Sequence, residues 1–176
     1  MKRRIILSVV AAAIAGSVSA SLSGARWISV PDAPVFSGPV KGDSRAASGT
    51  SWFARVFTNS GEVASAKWTV SGLGVFDVFV NGTRVGDDFL KPGYTHYAKT
   101  KYSFSYDVTG LLKREPGSEN VVAAEVSAGW WRDKILTPVG HDGFMGKKSA
   151  FIGALDVIYR DGRTERIVSD ANSWKC

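Results

Sequence analysis

The chain has 176 residues, of which 44% are hydrophobic and 22% charged, with one cysteine and two histidines. About 150 residues bury enough apolar surface to fold without disulfides, and the lone Cys176 excludes an internal one. The histidines and this distant cysteine make no zinc ligand set. Without Lys2, Arg3 and Arg4 the formal net charge falls from +6 to +3, and the other basic residues are scattered. Nucleic-acid binding, which needs a dense basic face, is therefore excluded.

Residues 1–20 have the pattern of a signal peptide. A basic start precedes an apolar run, and the small residues Val18-Ser19-Ala20 follow. The run is shorter than the roughly 20 apolar residues that span a bilayer, although an uncleaved anchor remains the alternative. No second apolar stretch follows, so we expect no membrane association of the mature chain. The sequence predicts a secreted or periplasmic protein, with a short strand at 26–30 and a loop inside an N-terminal segment, 21–50.

From residue 51 onward, the hydrophobic period is two, which is typical of half-buried antiparallel strands. Aromatic and polar residues alternate over 102–106, and apolar and polar residues alternate over 66–70. The runs 75–80 and 121–126 are apolar on both faces, which indicates central or covered strands.

Turn residues support the same class of fold. Asn81-Gly82 predicts a type I′ hairpin, and Asp161-Gly162 predicts a second one. The best helical candidate is one or two turns at 107–113, with Asp107 as the N-cap. We therefore predict an all-β domain over 51–176, a jelly-roll or antiparallel β-sandwich of eight or nine short strands.

Several segments occur in the order seen in one known family. They are Gly74-Val75-Phe76-Asp77-Val78-Phe79-Val80-Asn81-Gly82, Val85-Gly86-Asp87, Leu90-Lys91-Pro92-Gly93-Tyr94-Thr95-His96-Tyr97, Tyr106-Asp107-Val108-Thr109-Gly110-Leu111-Leu112, Gly129-Trp130-Trp131, and the ending from Asp161 to Lys175. The set resembles the N-terminal domain of bacterial α-L-rhamnosidases, a galactose-binding-like β-sandwich, over about 52–175. Residues 79–82 and 106–109 also resemble the sugar-binding domains of β-galactosidase-like enzymes, which stay an alternative. Asp133 departs from the family, which commonly has glycine there.

The resemblance implies an accessory, non-catalytic module. Enzymes of this family hold their catalytic acids in a helical (α/α)₆ barrel far downstream, so we assign no catalytic residue and expect no hydrolysis by this chain alone. The terminal Cys176 suggests a chain truncated before that barrel. The expected partners are rhamnose-containing glycans and the missing catalytic domain. The alternative is a packing domain without a ligand, in which apolar strands such as 75–80 are covered by neighbouring domains.

Trp130 and Trp131 are the first candidate ligand residues, because sugar rings stack on aromatic rings that also carry a polar group. If both lie in a strand, they point to opposite faces, so at most one of them contacts a given ligand. Arg132, His141 and Asp142 are the polar candidates, on or beside a long loop where ligands commonly bind. For each of these residues, core packing or solvation is the competing interpretation.

Tyr94 and Tyr97 follow the Pro92-Gly93 turn and are also candidates for sugar contact. The favoured interpretation is structural, with both tyrosines covering the sheet and their hydroxyl groups bonded to the backbone. No cofactor is expected and no metal site is assigned. Asp87-Asp88 leaves calcium binding open, since carboxylates are calcium ligands.

Overall fold

Two four-stranded antiparallel sheets make up the fold of the residues that this computed structural model describes, 21–30, 50–132, 145–146 and 148–176. The strand orders are β1-β6-β3-β4 in the first sheet and β5-β2-β7-β8 in the second. The strands are β1 (Ser51–Thr58), β2 (Val63–Leu73), β3 (Val75–Val80), β4 (Thr83–Arg84), β5 (Phe104–Asp107), β6 (Glu119–Ser127), β7 (Ala150–Tyr159) and β8 (Thr164–Val168). A 3-10 helix (Thr109–Leu111) and one helical turn, α1 (Gly129–Arg132), complete the elements. The predicted all-β sandwich is confirmed.

The core lies between the two sheets and is built around large rings. Trp68 on β2 is fully buried and meets the ring of Phe151 edge-on at 6.3 Å. Phe151 also contacts Trp174 at 5.4 Å, which joins the last residues of the chain to this core. The alternation predicted over 66–70 is present in β2 with one difference from the expected exposure: Thr69, on the polar face, is also buried. Its hydroxyl is satisfied by Ser105 at 2.9 Å on the neighbouring strand β5.

The two doubly apolar runs lie where the sequence predicts. Strand β6 is central in its sheet, between β1 and β3. On β3, the side chains of Phe76, Val78 and Val80 point into the core and are buried. The alternate residues of β3 are half-buried on the opposite, outer face of the sheet.

Both predicted hairpins are present. Asn81 and Gly82 have φ values of 50° and 83° and join β3 to β4 as a type I′ turn. Asp161 and Gly162 lie in the turn between β7 and β8. The helix predicted over 107–113 is shorter than expected and consists only of the 3-10 helix. The N-cap position is Val108 and not Asp107 as predicted, although Asp107 accepts a hydrogen bond from the backbone N–H of Thr109 at 2.9 Å.

The described ends of the chain attach to the sandwich through single bridges. The strand predicted at 26–30 is reduced to one bridge, in which the N–H of Ile28 donates to Phe151 O at 2.8 Å. Near the other end, Lys175 pairs with Ala54 of β1. The predicted signal peptide, 1–20, and most of the loop, 31–49, lie outside the described residues. Among the described helices, neither is long and apolar enough to cross a bilayer.

Candidate functional site

One end of the sandwich collects most of the aromatic residues that the sequence singles out. At this end β6 finishes beside the start of β3, and β7 begins beside the end of β2. The long connection 85–103 returns to the same end, where Lys91 O accepts from the N–H of Phe76 at 2.9 Å. The connection and α1 therefore approach each other.

Trp130 and Trp131 do not lie in a strand, so the expectation that they point to opposite faces is wrong. Strand β6 ends at Ser127, and both tryptophans lie on the helical turn α1. The chain leaves the sheet at Gly129, whose φ is +46°, and a Cβ there would lie 2.5 Å from Val75 Cγ2. Successive side chains on a helix diverge by about 100° instead of 180°. The two rings are thus not forced onto opposite sides of the sheet.

Three rings at this end form a continuous chain, which we call the aromatic cluster: Tyr94, Tyr97 and Trp131. Tyr97 meets Trp131 edge-on, with centroids 5.3 Å apart and planes at 73°. Tyr94 meets Tyr97 in the same manner, at 6.5 Å and 83°. Edge-to-face pairs of this kind each contribute about 0.5–1.5 kcal/mol beyond their buried area. The structure thus brings together three of the seven predicted site residues.

Backbone groups fix the far side of the cluster. The indole Nε1 of Trp131 donates to Lys148 O at 2.7 Å. The ring lies so close to Gly146 that a Cβ at that position would overlap it. The orientation of Trp131 is therefore determined by two residues that precede β7.

Members of the cluster differ sharply in exposure. Tyr97 is 2% exposed, whereas Tyr94 is 56% exposed. The hydroxyl of Tyr97 donates to Gly93 O at 2.9 Å, and burial, with a smaller effect of Tyr94, raises the pKa of Tyr97. Tyr97 is thus a neutral, buried support. Tyr94 offers its ring to solvent from a fixed position, and Trp131 is half-buried beside the support.

The remaining predicted residues are placed only in part. Trp130 and Arg132 are half-buried on α1, next to Trp131 in sequence, and they form no ring contact with the cluster among the described residues. The N–H of Arg132 donates to Ala128 O at 3.2 Å, which closes the helical turn. His141 and Asp142 lie outside the described residues.

The connection 85–103 carries three exposed apolar residues, of which the sequence analysis missed Phe89 and Leu90. It placed Tyr102 in a strand, whereas β5 begins only at Phe104. Phe89 is 83% exposed, Leu90 61% and Tyr102 53%. The guanidinium of Arg84 lies 5.1 Å from the ring centroid of Phe89, in a cation–π contact with one face of the ring. The only signal in the sequence is an adjacent apolar pair inside a polar, glycine-containing loop.

A buried lysine anchors this connection to the first sheet. Lys91 is 1% exposed, and its ammonium lies 3.4 Å from Asp77 Oδ1. The same ammonium faces the rings of Phe76 at 5.7 Å and Tyr106 at 5.2 Å. Cation–π contacts strengthen when they are shielded from water, so Lys91 fixes the loop that carries Tyr94 and Tyr97.

Asp88 of the acidic pair Asp87-Asp88 is bonded to other groups of the protein. Asp88 Oδ2 accepts the hydroxyl of Tyr106 at 2.9 Å, and Asp88 O accepts from the Arg84 guanidinium. Burial and this bond raise the pKa of Tyr106. Within the part of the chain that the structure describes, no three acidic, histidine or cysteine side chains converge as metal ligands.

Comparison with known proteins gives a consistent assignment. Residues 61–176 match the family model described as the α-L-rhamnosidase N-terminal domain. An α-L-rhamnosidase of Formosa agariphila is 31% identical over 160 residues, which cover 86% of this chain and 16% of that protein. An α-L-rhamnosidase of Streptomyces avermitilis is 37% identical over 114 residues, covering 65% of this chain and 10% of that protein. The chain thus spans less than a fifth of the length of these relatives.

Solved structures agree with the sequence matches. An α-L-rhamnosidase from Aspergillus terreus superposes with a TM-score of 0.74 at 27% identity, over 88% of this chain and 16% of that one. The Streptomyces avermitilis enzyme, solved in complex with L-rhamnose, gives a TM-score of 0.62 at 33% identity, over 73% and 12% of the two chains. A lectin from Pleurotus ostreatus shares the fold, with a TM-score of 0.54 at 19% identity over 88% and 35%.

Proposed function

This chain belongs to the α-L-rhamnosidase N-terminal domain family, and we propose that it is a carbohydrate-binding accessory module of an exported rhamnosidase-type glycoside hydrolase. Its ligands are rhamnose-containing glycans, and it presents them to a catalytic domain. The proposal includes export to the periplasm or the medium, which the composition of residues 1–20 supports. Hydrolysis belongs to the remainder of such an enzyme, since this chain spans 16% of its Formosa relative.

One observation carries the proposal: the exposed ring of Tyr94 held against buried Tyr97. Sugar rings have apolar C–H faces that pack against aromatic rings, while hydroxyl groups need polar partners at the rim. The phenol of Tyr94 supplies both a flat apolar surface and a hydroxyl group. Because Tyr97, which itself packs on Trp131, already holds this ring on one side, less side-chain entropy is lost when a sugar packs on it.

Polar contacts to the sugar come from the rim of the same end. Arg132 lies on α1 one residue after Trp131, and its guanidinium can donate to hydroxyl groups. His141 and Asp142, which the sequence pattern predicts as polar candidates on a loop, complete the proposed set. Calcium is not required by this arrangement, so binding should be the same with and without it.

Titration calorimetry with L-rhamnose and methyl α-L-rhamnopyranoside tests the proposal on the chain itself. We expect weak, saturable binding that falls by roughly fivefold, or about 1 kcal/mol, in Tyr94→Ala. Tyr102→Ala is the matched control, since Tyr102 is 53% exposed and its ring contacts no cluster member in the described part of the chain. We expect its affinity to equal that of the wild type.

The opposite result is equally informative. If a chain with an intact circular dichroism spectrum gives no saturable heat with any rhamnoside, the binding proposal fails. The same holds if Tyr94→Ala and Tyr102→Ala lower the affinity equally. A packing role without a ligand would then be the remaining function.

A further inference from the structure

The outer face of the first sheet is apolar and exposed over three strands. On β1, the alternate residues Phe53 and Phe57 are buried, so Trp52 and Val56 point outward and are 50% and 57% exposed. Val121 on β6 is 37% exposed on the same side. We call this surface the first-sheet face: Trp52, Ala54, Val56, Phe79, Val121 and Ala123.

Strand register makes this surface continuous. Ala54 of β1 is paired with Ala123 of β6, which is paired with Phe79 of β3. The small side chain of Ala123 lets the rings of Trp52 and Phe79 meet over the central strand, with centroids 5.4 Å apart. The result is a flat apolar surface with two joined rings at its centre.

The second sheet presents a different chemistry to its own outer side. Lys67 of β2 is paired with Asp156 of β7, which is paired with Arg166 of β8. Arg166 forms an ion pair with Asp156 at 3.2 Å. A polar outer face is therefore compatible with this fold, and the apolar first-sheet face needs its own explanation.

Charges around the first-sheet face indicate what a partner must supply. Asp77 is neutralised from two sides, by Arg84 at 2.8 Å and by Lys91 at 3.4 Å. Glu125, which is paired in register with both Trp52 and Asp77, is half-buried. It has no hydrogen-bond or ion-pair partner among residues 21–30, 50–132, 145–146 and 148–176. A matching surface is thus apolar with one basic group.

The path of the chain near Lys175 indicates which partner covers the first-sheet face. Lys175 and Ala54 exchange two backbone hydrogen bonds of 2.9 Å, so the C-terminal residues lie along the free edge of β1, at the rim of this face. In the rhamnosidase relatives this module is an N-terminal domain and a small part of a longer chain. A polypeptide that continues from Lys175 along this path would start beside the first-sheet face.

We infer that the first-sheet face is the docking surface for the domain that follows this module in a rhamnosidase chain. The partner surface is apolar and places a lysine or arginine opposite Glu125. Trp52 and Phe79 form the centre of the contact, where aromatic residues contribute most to binding. This surface is separate from the aromatic cluster, so the inference stands whether or not the module binds sugar.

Thiol labelling tests the inference in a chimeric enzyme, in which this chain replaces the matching N-terminal part of the Formosa agariphila α-L-rhamnosidase. Val56→Cys is introduced in a Cys176→Ser background, because Cys176 is exposed. Labelling at position 56 should be fast in the chain alone and slower by about tenfold or more in the chimera, because the core of an interface excludes solvent. Thr164→Cys, on an exposed residue of the second sheet, is the control and should label equally in both.

Equal labelling of position 56 in the two proteins would overturn the inference, as would an equal slowing at positions 56 and 164. If the chimera does not fold, a cysteine at the position aligned with Val56 in the intact Formosa enzyme gives the same comparison. Sedimentation velocity of the chain alone tests a rival occupant. A dimer that Trp52→Ser separates would assign the face to a second copy and also overturn the inference.

Discussion

Replacing Asn120 should destabilise the domain more than any other exchange of a polar side chain discussed here. Asn120 is fully buried at the start of β6 and uses both ends of its amide. Its Oδ1 accepts from Asn81 Nδ2 and from the N–H of Lys113, each at 2.8 Å. Its Nδ2 donates to Asn59 Oδ1 and to Lys113 O, each at 3.1 Å. One side chain of β6 thus joins the residue that follows β1, the β3–β4 turn and the loop that precedes β6.

The cost follows from which groups lose their partner. In Asn120→Ala, Asn81 Nδ2 retains its bond to Leu111 O at 2.9 Å, and Lys113 O retains the bond from Asn59 Nδ2. Asn59 Oδ1 and the N–H of Lys113 lose the only partners found for them within the described residues. A buried group without a partner costs about 1–3 kcal/mol; Asn59 is buried, whereas Lys113 is an exposed residue whose N–H can bond to water. The free energy of unfolding should therefore fall by about 2–3 kcal/mol, from one unsatisfied group and the small cavity left by the amide.

Asn120→Asp separates hydrogen bonding from packing. The carboxyl oxygen that replaces Nδ2 faces two acceptors, Asn59 Oδ1 and Lys113 O. It can form a hydrogen bond with one of them only when it is protonated and donates. Burial therefore raises the folded-state pKa above the unfolded value of about 3.9. Below that unfolded value the penalty of ionisation is absent, and it grows as the pH rises through the folded-state pKa. The variant should lose stability between pH 4 and 7 relative to the wild type.

Urea unfolding followed by tryptophan fluorescence measures both effects. Asn172→Ala is the control, because Asn172 is exposed and, among the described residues, bonds through its backbone N–H to Asp170 and not through its side chain. A loss below about 1 kcal/mol in Asn120→Ala, the ordinary scale of a surface exchange, would refute the reasoning. A loss of unfolding free energy in Asn120→Asp that is the same at every pH would refute the pKa argument as well.

Two further predictions concern single positions. Burial raises the pKa of Asp156, and its Oδ2 is buried with no hydrogen-bond partner in the part of the chain that the structure describes. Wild-type stability should therefore decrease as the pH rises from the unfolded pKa through the raised folded-state pKa. Asp156→Asn should remove this decrease in urea titrations at pH 3 to 7, despite the loss of the Arg166 pair. An unchanged pH dependence would contradict this assignment. Gly129→Ala should cost at least about 1 kcal/mol, because its positive φ and the contact with Val75 disfavour a side chain. Thermal unfolding of Gly129→Ala checks this expectation, and an unaltered midpoint would show that α1 adjusts freely.

The local sequence pattern was sufficient to predict strands such as β2 and the two hairpin turns. Period-two alternation identified β2 because Trp68 and its neighbours must face a core in any sandwich. The pair Asn81-Gly82 identified its hairpin because positive φ at two successive positions is favourable for few residue types. These signals lie within a few residues of the structure that they specify, so no long-range information was required.

The candidate site could be predicted only as a set of residue types. Tyr94, Tyr97 and Trp131 were all named, but the contacts of Tyr97 with the other two rings depend on the position of Lys91 and on the close approach of Gly146. These contacts join segments far apart in sequence, and no local pattern encodes them. From sequence alone, Lys91 would be predicted to be solvent-exposed, because lysine is rarely fully buried without a partner. The helical conformation of α1 was missed because four residues are too short for a helical period.

The central claim, that the aromatic cluster contacts rhamnosides, is tested most directly by an NMR titration of the chain with methyl α-L-rhamnopyranoside. The indole N–H of Trp131 gives a distinct signal because it is bonded to Lys148 O, and Trp131→Phe assigns it. We predict saturable shifts of this signal and of Tyr94, with no change at the buried indole of Trp68. Signals that stay fixed at Tyr94 and Trp131 up to high ligand concentration would contradict the account.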